Sequence, residues 1–186
     1  MTKYLIRTLD LILAFIGLLF TIPILLVVTI IGLFDTGSPI FLQYRVGKNM
    51  KKFTLIKFRT MSVETKSVAS HLASKASITK FGVFLRKTKI DELPQLINVL
   101  KGEMSLVGPR PNLYNQEKLI HERDSRGVYN VLPGVTGLAQ VNNIDMSTPN
   151  ILAEIDAEMI KDMCVKNYLK LIFQTIIGKG TGDGVK

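Results

Sequence analysis

Residues 11–34, LILAFIGLLFTIPILLVVTIIGLF, form a run of 24 residues without a charged side chain. A straight α-helix of that length reaches roughly 36 Å, because it rises about 1.5 Å per residue. The hydrocarbon core of a bilayer is about 30 Å thick. The run is long for a secretory signal peptide, and no small-x-small cleavage site follows it in residues 34–39. We therefore predict a membrane segment.

The path of this segment through the membrane stays open from the residues alone. Pro23 lies in its middle, where it removes a helical hydrogen bond and favours a bend. Lys3 and Arg7 precede the run, and residues 35–66 after it carry seven basic side chains against two acidic ones. Cytoplasmic flanks are enriched in Lys and Arg, so both flanks favour the same side. A kinked spanning helix and a re-entrant helix both fit these facts.

The composition limits the class of protein and its partners. The chain has 186 residues, 47% of them hydrophobic, and a formal net charge of +9, which excludes disorder and favours anionic partners. One cysteine, Cys164, excludes an intrachain disulfide and indicates a cytosol-facing protein, and we predict it in the core. With His71 and His121 as the two histidines, the chain cannot assemble a zinc cluster.

Several elements are predicted beyond the apolar run. Residues 40–46 and 53–58 are β-prone and form a predicted hairpin around residues 47–52, and residues 62–79 form a loop or weak helix. Helices are predicted near 93–100, 114–129, 149–162 and 166–177, with a structured loop at 133–142. The acidic side of the third helix, with Asp156, is predicted to face solvent. The apolar stripe of the fourth fits either core packing or a membrane surface.

Asp91 and Glu92 are adjacent carboxylates at or near the start of the helix at 93–100. Thr88 to Asp91 is similar to a capping box, although Pro94 allows a later start. Two acids at a helix N-terminus stabilise it by about 0.3–1 kcal/mol each, which is a purely structural role. A fixed, ionised carboxylate can also be a nucleophile towards phosphorus or a ligand for magnesium.

Four cations are candidates for phosphate contacts. Arg110 lies between two prolines, which stiffen its backbone and reduce the entropy lost when a guanidinium binds phosphate. Arg86 lies five residues before Asp91. Lys57 and Arg59 are predicted on one face of a strand, opposite to the residue between them. Solvated surface cations remain the alternative for all four.

The sequence resembles a known family at three places. Residues 89–111, KIDELPQLINVLKGEMSLVGPRP, closely resemble the signature of the bacterial sugar transferases, the small monotopic phosphoglycosyl transferases. Residues 57–61, KFRTM, and 133–142, PGVTGLAQVN, are similar to two further signatures of that family. With the apolar run, these motifs cover nearly the whole chain in the expected order.

The resemblance implies transfer of a sugar 1-phosphate from a UDP-sugar to undecaprenyl phosphate, which releases UMP. It implies a ping-pong reaction with Asp91 as nucleophile, Glu92 as its catalytic partner, and Mg²⁺ bound at Asp91. Arg86 and Arg110 match family arginines that contact phosphate, and Lys57 and Arg59 lie in a matched motif and are predicted to do the same. Membrane lipids and downstream glycosyltransferases of a glycan pathway are the other implied partners.

The resemblance also selects a fold. It implies an α+β, mostly helical protein with a re-entrant membrane helix broken at Pro23, a short β-hairpin and amphipathic interfacial helices. Residues 1–35 would form the anchor and residues 36–186 a cytosol-facing catalytic domain at the bacterial inner membrane.

One departure and one alternative remain. Many members carry Gly-Arg where this chain has Asn143 and Ile144, so a phosphate-site arginine is missing, and Arg123, Arg126 or Lys161 are candidates to replace it. The alternative is a non-catalytic membrane-anchored module that binds anionic lipid or nucleic acid, or a platform with degenerate chemistry. We expect no nucleic-acid partner, because aromatics are not interleaved with the basic residues and no helix-turn-helix pattern is present.

Overall fold

The computed structural model describes residues 2–65 and 77–180. Most of the segment predicted as a loop or weak helix, including His71, lies outside the described residues. The described elements, in chain order, are α1 (Thr2–Thr36), β1 (Ile40–Val46), β2 (Lys52–Phe58), α2 (Lys80–Thr88), α3 (Gln95–Lys101), β3 (Ser105–Val107), α4 (Glu117–Ser125), β4 (Gly134–Thr136), α5 (Leu138–Val141), α6 (Pro149–Lys161) and α7 (Val165–Ile176). The predicted α+β, mostly helical class is confirmed.

Helix α1 is one continuous helix of 35 residues that runs through Pro23. Within the described residues it is the one helix long and apolar enough to cross a membrane. Large side chains such as Phe20 and Phe34 are 76% and 88% exposed on its surface, as in a helix that meets lipid. Whether α1 spans the membrane or re-enters it stays a prediction at this point.

One side of α1 packs along the rest of the protein. Asp10 and Val28, both buried, are 18 residues apart, which is five helical turns, so they lie on the same side. Near one end Ala14 packs with Val99 and Met104, and near the other Val28 packs with Phe58. The helix therefore belongs to the core of the fold along most of its length.

Asp10 fixes the N-terminal half of α1. Its Oδ1 accepts hydrogen bonds from Ser105 Oγ at 2.9 Å, the Leu106 amide at 2.8 Å and Tyr168 Oη at 2.8 Å. Arg7, one turn earlier, donates to the Val99 carbonyl at 2.7 Å. These contacts tie α1 to β3, α3 and α7.

Two small sheets organise the remainder. Strands β1 and β2 form the predicted antiparallel hairpin, with Ile40 opposite Phe58 and Val46 opposite Lys52. Strands β3 and β4 pair in parallel, with Ser105 opposite Gly134 and Val107 opposite Thr136. The prediction of a loop over residues 133–142 is therefore wrong in part, because this segment holds β4 and the short helix α5.

The C-terminal helices bring two corrections. Asp156 on α6 was predicted to face solvent, yet it is 1% exposed, because its spacing from Leu152 and Met159 places it on the buried side. Cys164 was predicted in the core, yet it is exposed in the short turn before α7.

Helix α7 has a buried side and an exposed apolar side, so it fits both core packing and a membrane surface, the two alternatives left open for it. Tyr168 and Leu171 are buried, while Leu169, Phe173 and Ile176 are exposed.

Candidate active site

The acidic pair lies on a single 3₁₀ turn, Ile90–Glu92, between α2 and α3. Asp91 and Glu92 are 2% and 7% exposed. The capping-box interpretation is wrong, because the Thr88 hydroxyl donates back to the Phe84 carbonyl at 2.9 Å and α3 begins only after Pro94. Lys89 starts the turn in the left-handed region, at φ 58°, which is uncommon for a residue other than glycine.

Arg110 contacts the acidic pair directly. Its Nη2 lies 2.7 Å from Glu92 Oε1, with the arginine side chain 21% and the glutamate side chain 9% exposed. The structure therefore brings together two of the predicted site residues that are 18 positions apart in the chain. An ion pair this little exposed to water is screened less than a surface pair.

The backbone that carries Arg110 is held at four consecutive carbonyls. The carbonyl of Pro109 accepts from the Gly134 amide at 2.9 Å, and that of Asn112 accepts from the Val46 amide at 3.0 Å. The carbonyl of Arg110 accepts from Arg123 Nη1 at 2.8 Å, and that of Pro111 from Arg45 Nη1 at 3.0 Å. A side chain on such a support loses little entropy when it binds a ligand.

The Arg123 side chain is buried, and all of its described hydrogen bonds go to other parts of the protein. It is 1% exposed, and its Nε and Nη2 donate to Asp156 Oδ2 at 3.0 and 2.6 Å. Burial raises the pKa of the Asp156 carboxyl, and the adjacent Arg123 opposes that shift. The idea that Arg123 replaces the missing phosphate-site arginine is therefore wrong. Arg126 pairs with Glu122 on the surface of α4, and Lys161 is exposed at the end of α6.

Arg86 is placed by α2, which packs against the turn that carries the acidic pair. Its Nε donates to Thr60 Oγ1 at 2.8 Å. Gly82, one turn earlier, lies so close to the same segment that a Cβ atom would meet the Thr60 carbonyl oxygen at 2.1 Å. This close approach brings the matched motif at residues 57–61 to the acidic turn.

Lys57 and Arg59 share a face, as predicted. The Lys57 Nζ and the Arg59 Cζ lie 5.6 and 5.2 Å from the centroid of the Phe41 ring, whereas Phe58 points into the core. Strand β2, which ends beside them, packs against the acidic turn. Arg59 also donates to the Ser38 carbonyl at 2.8 Å. Their predicted phosphate contacts stay predictions.

A cavity of about 260 Å³ opens between the acidic turn and the end of α7. Glu92 and Lys89 line it from the turn, and Gln140, Thr175 and Lys179 line it from the opposite side. The Lys89 Nζ donates to the Lys179 carbonyl at 2.9 Å across it. Partial burial lowers the pKa of Lys89, Glu92 raises it, and Arg110 lowers it further. Lys89 was not predicted as a site residue, because only the folded chain brings the end of α7 next to the acidic turn.

The chain matches a known protein family over nearly its whole length. The pattern of the bacterial sugar transferases matches residues 1–180. The chain belongs to the bacterial sugar transferase family. The match includes the acidic turn, the Arg110 loop and the apolar helix, so every predicted site residue lies inside it.

Several proteins that are similar to this chain are named as transferases. An uncharacterized sugar transferase of Haemophilus influenzae is 36% identical over 94% of this chain and 41% of its own length. The uncharacterized sugar transferase EpsL of Bacillus subtilis is 40% identical over 81% of this chain and 74% of its own length. The UDP-glucose:undecaprenyl-phosphate glucose-1-phosphate transferase of Escherichia coli is 37% identical over 91% of this chain and 39% of its own length. The chain thus spans about two fifths of two of these relatives.

The donor set at the acidic turn fits magnesium together with substrate oxygens. Asp91 and Glu92 offer hard carboxylate oxygens, and in residues 2–65 and 77–180 no cluster of three His, Cys, Asp or Glu side chains is present. Mg²⁺ is commonly bound by one or two carboxylates plus substrate phosphates, with waters completing its octahedron. The turn therefore suits an ion that arrives with a diphosphate.

Proposed function

We propose that the protein transfers a sugar 1-phosphate from a UDP-sugar to undecaprenyl phosphate, giving undecaprenyl diphosphate-sugar and UMP. The observation that carries this proposal is the Arg110 guanidinium held 2.7 Å from Glu92, the residue that follows Asp91 in the chain and lines a cavity. A carboxylate beside a rigid guanidinium suits attack on a phosphorus whose oxygens need charge compensation. Membership of the sugar transferase family and the name of the Escherichia coli relative support the same reaction.

The proposed reaction has two displacements at one phosphorus atom. In the first, a carboxylate oxygen of Asp91 bonds to the β-phosphorus of the UDP-sugar, and the bond from that phosphorus to the bridging oxygen breaks, so UMP leaves. In the second, an oxygen of the lipid phosphate bonds to the same phosphorus, and the acyl phosphate bond to Asp91 breaks. Asp91 returns to a carboxylate, and the sugar 1-phosphate ends on the lipid.

The surrounding groups divide the remaining work. Arg110 and Arg86 offset the negative charge that builds up on the phosphoryl oxygens, and their supports fix them before substrate arrives. Glu92 holds Arg110 in place. Asp91 and Glu92 are the residues that would hold a magnesium ion together with substrate oxygens, and that ion would supply further charge compensation at the phosphorus when bound.

In this mechanism the burial of Asp91 protects the covalent intermediate from water. Asp91 is 2% exposed, so little water reaches the carboxylate. An acyl phosphate formed there is protected from hydrolysis until the second substrate arrives. This protection makes a two-step route through a covalent intermediate workable.

The proposed location is the cytoplasmic face of the bacterial membrane, with α1 as a re-entrant anchor. Near its start, Arg7 donates to the Val99 carbonyl, and near its end Asp35 accepts from Thr79 Oγ1 at 2.7 Å. A 35-residue helix reaches about 52 Å, more than the hydrocarbon core. If α1 crossed the bilayer, the polar groups bound to its two ends would lie on opposite faces. Re-entry avoids that, and both basic flanks then meet the cytoplasmic leaflet.

The experiment that tests the function is a panel of UDP-sugars incubated with the purified protein, undecaprenyl phosphate and Mg²⁺, with UMP as the readout. We expect release of UMP for at least one donor. Without the lipid, that donor should give a roughly stoichiometric burst of UMP and a protein heavier by one phosphosugar in intact-mass spectra after a rapid quench. Asp91→Asn should abolish both signals, whereas Asp35→Asn, an exposed acid on α1, should keep them.

Two results would count against the proposal. A panel that yields no UMP favours the non-catalytic binding module. Turnover by a verified Asp91→Asn protein, free of deamidation, removes Asp91 as the nucleophile.

A further inference from the structure

We infer that the cavity beside Glu92 binds the phosphate end of the lipid acceptor, with the Lys89 ammonium as its counter-charge. This inference rests on the proposed function and adds a binding residue and a path for the lipid chain.

The position of the cavity makes it a second-substrate site. Glu92 lines it directly, so a phosphate bound there lies beside the pair that carries the reaction. Asp91, by contrast, is not among the lining residues. The cavity thus reaches the acidic turn on the side of Glu92.

The charges favour an anion. Among the residues that the structure describes, Lys89 and Lys179 line the cavity together with one acidic residue, Glu92. Lys89 is partly buried as a residue, and the one described hydrogen bond of its ammonium goes to a carbonyl oxygen at an exposed position. An ammonium has three N–H donors, so two remain for a phosphate monoester.

The backbone at Lys89 points to a required side chain. Its φ of 58° and ψ of 14° lie in the left-handed region, where glycine and asparagine are accommodated at lower cost. A lysine kept in such a conformation at the edge of an active site fits a side chain that is needed there.

The rest of the lining favours a lipid chain over a nucleoside. Leu93, Leu96 and Val135 form apolar walls, and the Thr136 and Thr175 hydroxyls are bonded to each other at 2.6 Å. Among the described lining residues Gln140 Oε1 is buried without a partner and offers one acceptor, which leaves few polar groups to recognise a whole uracil and ribose. A nucleoside would leave its own polar groups without partners there, which is costly.

The apolar walls lead towards the helices that we place at the membrane. Leu96 reaches α1, since a Cβ atom built on Gly17 would lie 3.2 Å from its Cδ1. On the opposite side Ile176 is 76% exposed, one turn along α7 from Phe173, which is 62% exposed. Leu96 and Ile176 both line the cavity, so a polyprenyl chain has apolar side chains to follow towards α1 and towards α7.

Steady-state kinetics on Lys89→Asn and Lys89→Arg in lipid nanodiscs test the inference, with undecaprenyl phosphate and the active UDP-sugar each varied. We expect Lys89→Asn to raise the KM for undecaprenyl phosphate at least tenfold, and Lys89→Arg to recover most of that loss. The KM for the UDP-sugar and the rate of the UMP burst without lipid should change less than threefold. Lys87→Ala, which removes an exposed charge two residues away, is the control and should leave both KM values unchanged.

Folding does not confound this test. Asparagine tolerates the left-handed conformation better than lysine, so the Tm of Lys89→Asn should equal or exceed that of the parent. An unchanged KM for undecaprenyl phosphate overturns the inference. A slower UMP burst without lipid also overturns it, because it places Lys89 at the donor. Both outcomes need an active parent enzyme, so they are distinct from a failure of the proposed function.

Discussion

The Arg123 side chain holds the backbone of Arg110, because the Arg123 Nη1 donates to the Arg110 carbonyl oxygen at 2.8 Å. The same nitrogen donates to Asn112 Oδ1 at 2.9 Å, while the rest of the guanidinium binds Asp156. Two arginines of like charge are thus joined through a main-chain dipole. One is sealed in the core, and the other reaches Glu92. Helices α4 and α6 are thereby linked to the site without contributing a side chain to it.

This link predicts the effect of Arg123→Lys. A lysine keeps the charge but cannot contact Asp156, Asn112 and the Arg110 carbonyl at once. We expect kcat/KM for UMP release to fall about tenfold, which is about 1.4 kcal/mol. In an Arg110→Ala background the same change should cost less than about twofold, because its effect passes through Arg110. Equal losses in both backgrounds would show that Arg123 serves stability alone.

Removing one partner of the buried pair predicts a loss of stability. Asp156→Ala leaves the Arg123 guanidinium buried without its carboxylate, and breaking a buried pair in this way costs about 3–5 kcal/mol. Thermal melts in detergent should show a clearly lower Tm. Glu158→Ala, which changes an exposed acid on the same helix, is the control and should leave the Tm nearly unchanged. A parental Tm for Asp156→Ala would contradict the burial of this pair.

We expect replacement of Asp10 to cause a second large loss of stability. Asp10→Ala removes the acceptor of three hydrogen bonds, from Ser105, Leu106 and Tyr168. Each buried donor left without a partner costs about 1–3 kcal/mol, so the Tm should fall strongly. Asp35→Ala loses one exposed hydrogen bond, and its effect should stay within about 0.5 kcal/mol. Similar melting curves for both variants would refute the anchoring role of Asp10.

Tyr168 predicts the response to alkaline pH. Burial, and next the Asp10 carboxylate, raise the pKa of its hydroxyl far above the usual 10. The unfolded chain ionises this group first, so stability is fully present below pH 10 and is lost as the pH rises further. The slope for one such group reaches about 1.4 kcal/mol per pH unit. Melts between pH 8 and 11 should show a steeper decline for the parent than for Tyr168→Phe. Burial also raises the pKa of Tyr129, so part of the decline should persist in that variant.

The re-entrant path predicts labelling from one side. Lys3 lies near the start of α1, and Lys52 follows that helix at the start of β2. Both are exposed, so each can be replaced by cysteine. Because Cys164 is exposed, both variants need a Cys164→Ser background. A membrane-impermeant maleimide should label both sites in inverted membrane vesicles and neither in intact spheroplasts. Labelling of the two sites from opposite sides would establish a spanning helix.

The sequence predicted most of the elements, and the reasons for the misses are specific. The hairpin at residues 40–58 has strong β propensity on both sides of a polar loop, and α3 has a clear apolar face and a terminal glycine. The pairing of β3 with β4 was missed, because three-residue strands show no alternation. Asp156 was misplaced, although its spacing from Leu152 and Met159 already put it on the apolar face.

The candidate site residues could be selected from the sequence, but the residues that support them could not. The acidic pair and Arg110 follow from the matched motif, and the structure joins Arg110 to Glu92. Arg45, Arg123 and Lys89 gave no local signal, because each acts on a segment distant in the chain. Such contacts depend on tertiary packing, which no short window of sequence contains.

The packing of α1 has a practical consequence for anyone who wishes to prepare a water-soluble fragment. Deleting residues 2–36 would strip Val99, Phe58 and Leu85 of their covering side chains and leave Ser105 and Tyr168 without the acceptor they share. Such a truncation should yield aggregated material instead of a working catalytic half. The amphiphile that surrounds this helix during purification is therefore part of what keeps the reaction centre assembled.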